Sequence, residues 1–281
     1  MDTSAIADTF DTLVDDALIW VSDHGAFLFD WVRAVFEGFY DGVLGLLEIA
    51  PWYVVAIVFG LLAWRLVSAS FGVLTAAGLA ACWLVGLWPE TMSTFALVIS
   101  STFLALALAL PIGVLAGFLP RFDHVVEPVL DLIQTLPPYI YLLPAIALLG
   151  FGPATALAAT LIVAMPPAIR LTSLGIRMTP KEFVELGQAT GMTNAQMFFK
   201  IRLPFALPSI MAGINQSLMM AFGMVVIAGI VGTGGLGETI YEAIRNLDIG
   251  KSIDAAIAIV ILTIVIDRLT QNLVRTGKDA S

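Results

Sequence analysis

The stretch TMSTFALVISSTFLALALALPIGVLAGFLP, Thr91 to Pro120, contains no Asp, Glu, Lys or Arg. A helix needs about 20 apolar residues to cross the hydrocarbon layer of a bilayer, so this segment is long enough to span a membrane. Three other stretches lack the same charged residues: Leu66 to Pro89, Leu132 to Ile169 and Leu203 to Gly237. Together the four stretches predict an all-α membrane protein.

The composition supports the same fold class. Of the 281 residues, 59% are hydrophobic and 12% are charged, whereas about a quarter of the residues are charged in an ordinary soluble domain. A soluble core cannot bury so much apolar surface. The single cysteine, Cys82, lies within an apolar run, which excludes a disulfide framework and a cysteine metal site.

Seven membrane spans are predicted, near residues 51–68, 71–88, 93–119, 128–149, 154–175, 204–231 and 252–271. Their connections fall alternately on two sides of the membrane, with ten Lys and Arg residues on one side and three on the other. The side richer in basic residues is normally the cytoplasmic one. We therefore expect the amino terminus outside and the carboxyl terminus in the cytoplasm. Residues 50–90 would hold two spans, residues 91–273 the transmembrane core, and residues 274–281 a cytoplasmic tail.

Residues 1–49 are predicted to form an acidic extracytoplasmic tail, because they hold ten acidic residues against one basic residue, Arg33. This charge argues against a nucleic-acid partner. Within residues 25–48, charged residues recur at helical spacing while apolar residues occupy the other faces, which indicates an amphipathic helix. Such a helix either lies on the outer membrane surface or packs against the protein's own outer face.

Proline and glycine interrupt the predicted spans repeatedly. The breaks comprise Pro111 with Gly113 and Gly117, then Pro137, Pro138, Pro144, Pro166, Pro167, Pro204 and Pro208. Backbone groups freed by such breaks are costly in hydrocarbon, so broken helices belong inside a bundle or along a wet cavity. This pattern is typical of a protein that moves a solute, although the Gly113-x-x-x-Gly117 spacing also predicts close packing of two helices.

One connection between spans has the features of a folded element, TPKEFVELGQATGMTNAQMFFKIRLP, residues 179–204. Thr179 with Glu182 matches a helix capping box, and Thr193 with Gln196 matches a second one. Gly191 between them is typical of a left-handed helix end. A DNA-binding helix-turn-helix would need more positive charge than the four basic and two acidic residues from Arg177 to Arg202 provide. A rigid docking element for a cytoplasmic partner fits the segment better.

The spacing Glu185, Gly191, Ile201-x-Leu203-Pro204 resembles the cytoplasmic signature of permeases in binding-protein-dependent ABC importers. That signature reads glutamate-alanine-alanine, three residues, glycine, nine residues, isoleucine-x-leucine-proline, and this chain departs from it at Leu186-Gly187. The resemblance implies the type I ABC importer permease fold and a coupling helix that docks on a separate ATPase, which binds ATP and Mg²⁺. The implied coupling residues are Thr179, Glu182, Glu185, Gly187, Ala189, Gly191, Ile201, Leu203 and Pro204.

Three further stretches are similar to permeases of glycine betaine, proline betaine and choline importers. They are DLIQTLPPYIYLLP from Asp131 to Pro144, LDIG from Leu247 to Gly250, and IDRLTQ from Ile266 to Gln271. The similarity implies a quaternary ammonium substrate, a homodimeric permease in the bacterial inner membrane, two ATPase subunits and an external substrate-binding protein. This chain itself would bind no cofactor or metal and carry no catalytic residue.

Four residues are candidates for the transport pathway. Tyr139 and Tyr141 could offer ring faces to a quaternary ammonium group, although kink packing or interfacial anchoring would explain them too. Asn215 and Gln216 are polar within an apolar span, where they could line a pathway or form interhelical hydrogen bonds. An intramembrane enzyme and an ATP-independent osmolyte channel are the alternative functions.

One glycine pattern, Gly232-x-Gly234-x-x-Gly237, matches the dinucleotide-binding fingerprint. That fingerprint requires a preceding strand in a parallel sheet, whereas here it follows a predicted membrane helix. We interpret it as a turn. No phosphate-loop pattern occurs in the sequence, so ATP is expected to bind to a partner.

Overall fold

The structure is a computed structural model, and it describes the backbone of residues 3–278. Side chains are described for residues 9, 12, 13 and 15–272. Within that part of the chain the fold is helical and contains no strand. Its helices are α1 (Thr3–Ile49), α2 (Trp52–Leu66), α3 (Ala69–Leu84), α4 (Trp88–Phe118), α5 (Pro120–Thr135), α6 (Leu142–Leu149), α7 (Pro153–Arg177), α8 (Lys181–Ala189), α9 (Asn194–Met197), α10 (Leu203–Ala228), α11 (Gly235–Arg245) and α12 (Ile249–Lys278). Short 3-10 turns lie at Pro138–Tyr141 and Gly229–Val231, and a π-helical turn at Phe198–Arg202.

Four stretches in the described residues are long and apolar enough to cross a membrane: α4, α7, residues 194–231 around α10, and α12. They coincide with the predicted spans 93–119, 154–175, 204–231 and 252–271. Two further pairs reach that length only together, residues 15–49 with α2 at a bend of 95° and α5 with residues 138–149 at a bend of 107°. The number of candidate spans is therefore four, or up to six if each bent pair counts as one.

The predicted span 128–149 is broken at Pro137 and Pro138, as predicted. Helix α5 ends at Thr135, and Leu136 adopts an extended conformation with ψ 140°. A residue that precedes proline is disfavoured in the helical region because the proline ring crowds its backbone. Since Pro137 and Pro138 follow in succession, the helix stops and the chain bends before α6.

Helices α2 and α3 correspond to the predicted spans 51–68 and 71–88, but they are shorter, at 15 and 16 residues. Helices of this length rise about 24 Å, less than the roughly 30 Å of the hydrocarbon layer. The two helices pack tightly as a hairpin, because a Cβ atom on Gly72 would lie 2.6 Å from the carbonyl oxygen of Gly60. The Ser68 hydroxyl accepts a hydrogen bond from the Phe71 amide at 3.2 Å and caps α3.

Helix α7 is the centre of the bundle and packs against α4 on one side and α10 on the other. Small residues make both contacts close. A Cβ atom on Gly113 would lie 2.8 Å from the Ile169 carbonyl oxygen, and one on Gly175 would lie 3.0 Å from the Ala206 carbonyl oxygen. Such approach is how membrane helices gain van der Waals contact without a hydrophobic driving force. The predicted packing role of the Gly113-x-x-x-Gly117 pair is confirmed.

The predicted amphipathic helix is part of the longer helix α1. One stripe of α1 packs on the core through Phe36, Tyr40, Val43 and Leu47, and the Tyr40 hydroxyl lies 2.6 Å from Ser93 Oγ of α4. A second apolar stripe faces away from the core, and its Phe27 is 87% exposed. The carboxyl-terminal half of α1 thus packs on the protein itself, while another apolar face has no covering within the described chain.

Candidate coupling loop and transport pathway

The first predicted capping box of the loop is wrong. Helix α8 begins at Lys181 with Pro180 in the cap position, and no side chain caps it. The Thr179 hydroxyl instead donates to the Ile176 carbonyl at 2.9 Å and so belongs to the end of α7. Because Pro180 is extended, with ψ 134°, the helix starts one residue later than predicted and Thr179 lies outside it.

The second capping box is confirmed. The Gln196 amide donates to Thr193 Oγ1 at 3.3 Å, and the Thr193 amide donates to Gln196 Oε1 at 3.0 Å. These two reciprocal bonds satisfy amide groups that have no partner within the first helical turn. They fix the start of α9, so the short second helix of the loop is held by its own sequence.

Gly191 ends α8 in the left-handed conformation, with φ +71°, as predicted. The Met192 amide donates to the Gly187 carbonyl and the Gly191 amide to the Gln188 carbonyl, both at 3.0 Å, which is the Schellman arrangement. A Cβ atom on Gly191 would meet nothing within 4 Å. The backbone angle alone therefore requires glycine at this position.

Gly187 explains the departure from the alanine pair of the family signature. It is the buried residue of α8, and a Cβ atom there would lie 2.5 Å from Met197 Cε and 2.9 Å from Ile201 Cδ1. The neighbouring Leu186 is 58% exposed. Gly187 thus lies where α8 packs against the following π-helical turn. The larger Leu186 lies on the exposed side of α8.

Helix α8 presents one face to its surroundings, which we call the docking face: Glu182, Glu185, Leu186 and Ala189. These residues recur at intervals of three and four, so they share one side of the helix, and all four are exposed. Phe183 lies beside this face with its ring 5.0 Å from that of Phe205. The face combines two carboxylates with an apolar patch, a composition suited to docking on another protein.

The signature residues Ile201, Leu203 and Pro204 join the loop to α10. A π-helical turn covers Phe198–Arg202, and the Leu203 amide donates to the Phe198 carbonyl. Pro204 has no amide hydrogen and its ring crowds the preceding turn, which agrees with a locally widened helix at this point. The Arg202 guanidinium lies 4.6 Å from the centre of the Phe118 ring and ties the turn to the end of α4.

Two ion pairs join α5 to α7 next to this loop. Arg177 Nη1 donates to Asp123 Oδ2 at 2.5 Å, and Ser173 Oγ donates to Asp123 Oδ1 at 3.0 Å. Arg170 pairs with Asp131 further along α5. Sequence reasoning missed these four residues. The two acidic residues are eight positions apart on α5 and the two arginines are seven apart on α7. Each spacing is about two helical turns, which could have indicated two ion pairs between facing sides of the helices.

The predicted pathway residues fall on neighbouring elements. The Tyr141 hydroxyl donates to the Ile133 carbonyl at 2.8 Å and bridges the break between α5 and α6. The 3-10 turn that holds Tyr139 and Tyr141 contacts α10, which carries Asn215 and Gln216. Tyr139 and Gln216 are exposed, and Asn215 is half-buried. Within the described chain, the buried Asn215 Oδ1 has no hydrogen-bond partner, so it is free to accept one.

The glycine pattern at residues 232–237 forms a turn. Gly232 and Gly234 both have φ +72° and reverse the chain between α10 and α11. A Cβ atom on Gly237 would lie 2.1 Å from the Val225 carbonyl oxygen, so that glycine lets the two helices touch. The Leu236 amide donates to Thr94 Oγ1 at 2.8 Å, which fastens the turn to α4. A helix precedes the pattern, which confirms its interpretation as a turn.

Comparison with known proteins identifies close relatives over most of the chain. It is 39% identical over 268 residues to the glycine betaine/proline betaine transport system permease protein ProW of Escherichia coli, covering 95% of this chain and 76% of the relative. It is 40% identical over 255 residues to the glycine betaine transport system permease protein OpuAB of Bacillus subtilis, covering 87% and 90%. The glycine betaine/carnitine transport permease protein GbuB of Listeria monocytogenes is 36% identical over 258 residues, with coverages of 86% and 92%.

A solved structure shares the fold at lower sequence identity. The MetNI methionine ABC transporter in an inward-facing conformation contains a chain that superposes with a TM-score of 0.62 at 23% identity, covering 69% of this chain and 96% of that one. The fold is therefore that of a type I ABC importer permease. Residues 109–276 match the family described as binding-protein-dependent transport system inner membrane component. On this evidence the chain belongs to that family of membrane permeases.

Proposed function

We propose that this chain is the membrane permease of an ATP-driven importer for a quaternary ammonium osmolyte such as glycine betaine, proline betaine or choline. The observation that carries the proposal is the 39% and 40% identity, over nearly the whole chain, to permeases named for glycine betaine transport. The chain translocates substrate that an external binding protein delivers. Its own chemistry is positional, and a separate ATPase binds ATP and Mg²⁺.

The ATPase docks on the coupling loop, residues 179–204. The docking face of α8 is exposed, and the Schellman turn and the capping box give the loop a fixed shape. A preformed surface loses little conformational entropy on binding. Movement of the ATPase subunits can thus be passed to α7 and α10, which flank the loop directly.

Two copies of the chain enclose the pathway. Asp131 and Arg170 lie on the membrane elements α5 and α7, yet their side chains are 62% and 38% exposed in the single chain. Charged side chains at membrane depth face a water-filled cavity or other protein rather than lipid. This surface therefore borders an aqueous path and the second copy. Tyr139, Tyr141, Asn215 and Gln216 contribute to the same path.

The protein is a multi-pass protein of the inner membrane, and we assign its amino terminus to the outside and its carboxyl terminus to the cytoplasm. The basic connections support this orientation, as do the acidic residues 1–49. In a Cys82→Ala background, Asp16→Cys should react with an impermeant thiol reagent in intact cells and Lys278→Cys only after permeabilisation. The opposite labelling would reverse the topology.

Transport is tested with the full permease, its ATPase and its binding protein together in proteoliposomes. Radiolabelled glycine betaine should accumulate when ATP is supplied on the ATPase side, and should not accumulate with a non-hydrolysable ATP analogue. Choline and proline betaine as competitors define the substrate range. Equilibration without ATP would indicate a channel instead, and absence of uptake for every quaternary ammonium compound would overturn the substrate class.

A further inference from the structure

We propose that helix α5 transmits movement of the coupling loop to the break at residues 136–141, and that two ion pairs hold it in one register on α7. We call these two pairs, Asp123–Arg177 and Asp131–Arg170, the ladder, and each pair a rung. The proposal rests on the ATP-driven transport proposed above, and it assigns positioning roles to four residues that lie outside the coupling loop.

The first rung of the ladder lies beside the loop. Arg177 is the last residue of α7, two residues before Thr179. Its partner Asp123 is only 9% exposed and also accepts the Ser173 hydroxyl at 3.0 Å. A buried carboxylate without partners is strongly destabilising, so Asp123 depends on both. Any displacement of the end of α7 by the loop must either move Asp123 with it or break this contact.

The second rung fixes the register of the two helices. Asp131 lies eight residues after Asp123, and Arg170 lies seven residues before Arg177, so the rungs are about two helical turns apart on antiparallel helices. Next to the second rung, the buried Leu130 packs in a cluster with Ala109, Ala168 and Ile169 of α4 and α7. A shift of α5 along α7 by one helical turn would therefore break both ion pairs and remove Leu130 from its packing site at the same time.

The far end of α5 reaches the predicted pathway. The Tyr141 hydroxyl donates to the Ile133 carbonyl in the last turn of α5, so the 3-10 turn with Tyr139 is fastened to that helix. Helix α5 has 16 residues and a length of about 24 Å. It thus runs as one continuous helix, with Pro128 inside it, from the first rung beside the loop to the broken segment beside α10.

The test separates coupling from docking and from folding. Asp123→Asn, Arg177→Gln, the double variant and the exchanged pair Asp123→Arg with Arg177→Asp are each purified with the ATPase and reconstituted with the binding protein. Three quantities are measured: ATPase recovered with the permease, ATP hydrolysed, and glycine betaine transported per ATP. Arg121→Gln is the matched control, because Arg121 is an exposed charged residue on the same helix with no ion pair among the described side chains.

We expect Asp123→Asn to retain ATPase recovery but to transport about tenfold less glycine betaine per ATP, within the usual range of coupling energies. The exchanged pair should recover part of that loss, and Arg121→Gln should behave as the parent protein. Unchanged transport per ATP in Asp123→Asn would overturn the proposal. So would a loss of ATPase recovery equal to the loss of transport, because the ladder would then serve only folding or docking.

The second rung keeps the proposal testable if the Asp123 variants do not assemble. Asp131→Asn should assemble, since the Asp131 side chain is 62% exposed, and should lower transport per ATP. Exchange to Asp131→Arg with Arg170→Asp should restore it, and failure of both effects would overturn the register role. If the parent protein shows no ATP-driven uptake, the proposed function is wrong. If the parent protein transports and the variants transport the same amount of glycine betaine per ATP, the role of the ladder is wrong.

Discussion

The coupling loop and the α5–α7 contact lie side by side, yet different forces shape them. Backbone features set the loop: a left-handed glycine, a capping box and a proline that follows a π-helical turn. Charged side chains from helices distant in sequence set the α5–α7 contact, in which Asp123 and Arg177 are 54 positions apart. A left-handed backbone angle is independent of salt and disfavours any Cβ atom, whereas an ion pair is weakened by salt and is lost when one partner is neutralised. Variants of the two regions should therefore fail in different ways.

The largest expected effect is that of Gly191→Val. A Cβ atom costs roughly 1 kcal/mol in the left-handed region and a β-branched side chain costs more, so α8 should lose its turn and the ATPase its docking site. We expect normal membrane expression with loss of both ATPase recovery and uptake. Asp123→Asn should lose transport per ATP while keeping ATPase recovery, which distinguishes the two regions directly.

Gly86→Val is the matched control for this variant. Gly86 has φ +76°, and a Cβ atom there would also meet nothing within 4 Å, but it lies between α3 and α4, away from the loop. The same local strain should therefore leave ATPase recovery intact. If Gly191→Val kept full uptake and ATPase recovery, the coupling role of residues 179–204 would have to be abandoned.

Gly187→Leu should have the next largest effect, through crowding rather than backbone strain. The Cβ contact at 2.5 Å is to Met197 Cε, the flexible end of a side chain, so Gly187→Ala should be tolerated and Gly187→Leu should not. ATPase recovery measures both. Restoration of recovery by Met197→Ala in the Gly187→Leu protein would support the steric cause, and equal recovery in the Leu and parent proteins would contradict it.

Sequence reasoning succeeded where the structural signal is local. Gly191 and the Thr193–Gln196 box depend on residues within a single turn, and the long uncharged stretches gave four helices their correct places. It failed at Thr179, because Pro180 occupies the cap position itself and shifts the start of α8. The break after Thr135 was predicted from Pro137 and Pro138, which restrict the residue before them.

The α5–α7 contact could not be derived in the same way. A pairing of Asp123 with Arg177 needs the relative register of two helices, and α6 and a sharp bend separate them in the chain. Similarly, the exposed apolar stripe of α1 follows from its packing on α4 through Tyr40 and Ser93, which leaves the opposite face uncovered. Helical periodicity predicted an amphipathic helix within residues 25–48, but it did not show which of its apolar residues would contact the protein.

Asp131→Asn is expected to have a smaller effect than Asp123→Asn. The Asp131 side chain is 62% exposed and that of Arg170 is 38% exposed, and ion pairs that solvent screens contribute at most about 1 kcal/mol. The loss in transport per ATP should shrink as salt is raised, because screening weakens the parent's ion pair as well. Measuring the ratio of variant to parent at low and high salt checks this. A salt-independent loss would contradict an electrostatic role for the second rung.

The smallest expected effect is that of Glu185→Ala on the docking face. Glu185 borders a cavity of about 300 Å³ together with the cationic residues Arg177, Lys181 and Arg202, but its side chain is exposed, so solvent screens these charges. Loss of an exposed charge interaction costs up to about 1 kcal/mol, which corresponds to less than about a tenfold change in ATPase affinity.

ATPase recovery at low and at raised salt, compared between Glu185→Ala and the isosteric Glu185→Gln, separates the charge from the shape of the side chain. Both variants should remain well above Gly191→Val at every salt concentration, because the Schellman turn still presents α8 in its docked orientation. A loss in Glu185→Gln as deep as that in Gly191→Val would mean that charge, and not the backbone, dominates the coupling loop, and the contrast with the α5–α7 contact would fail.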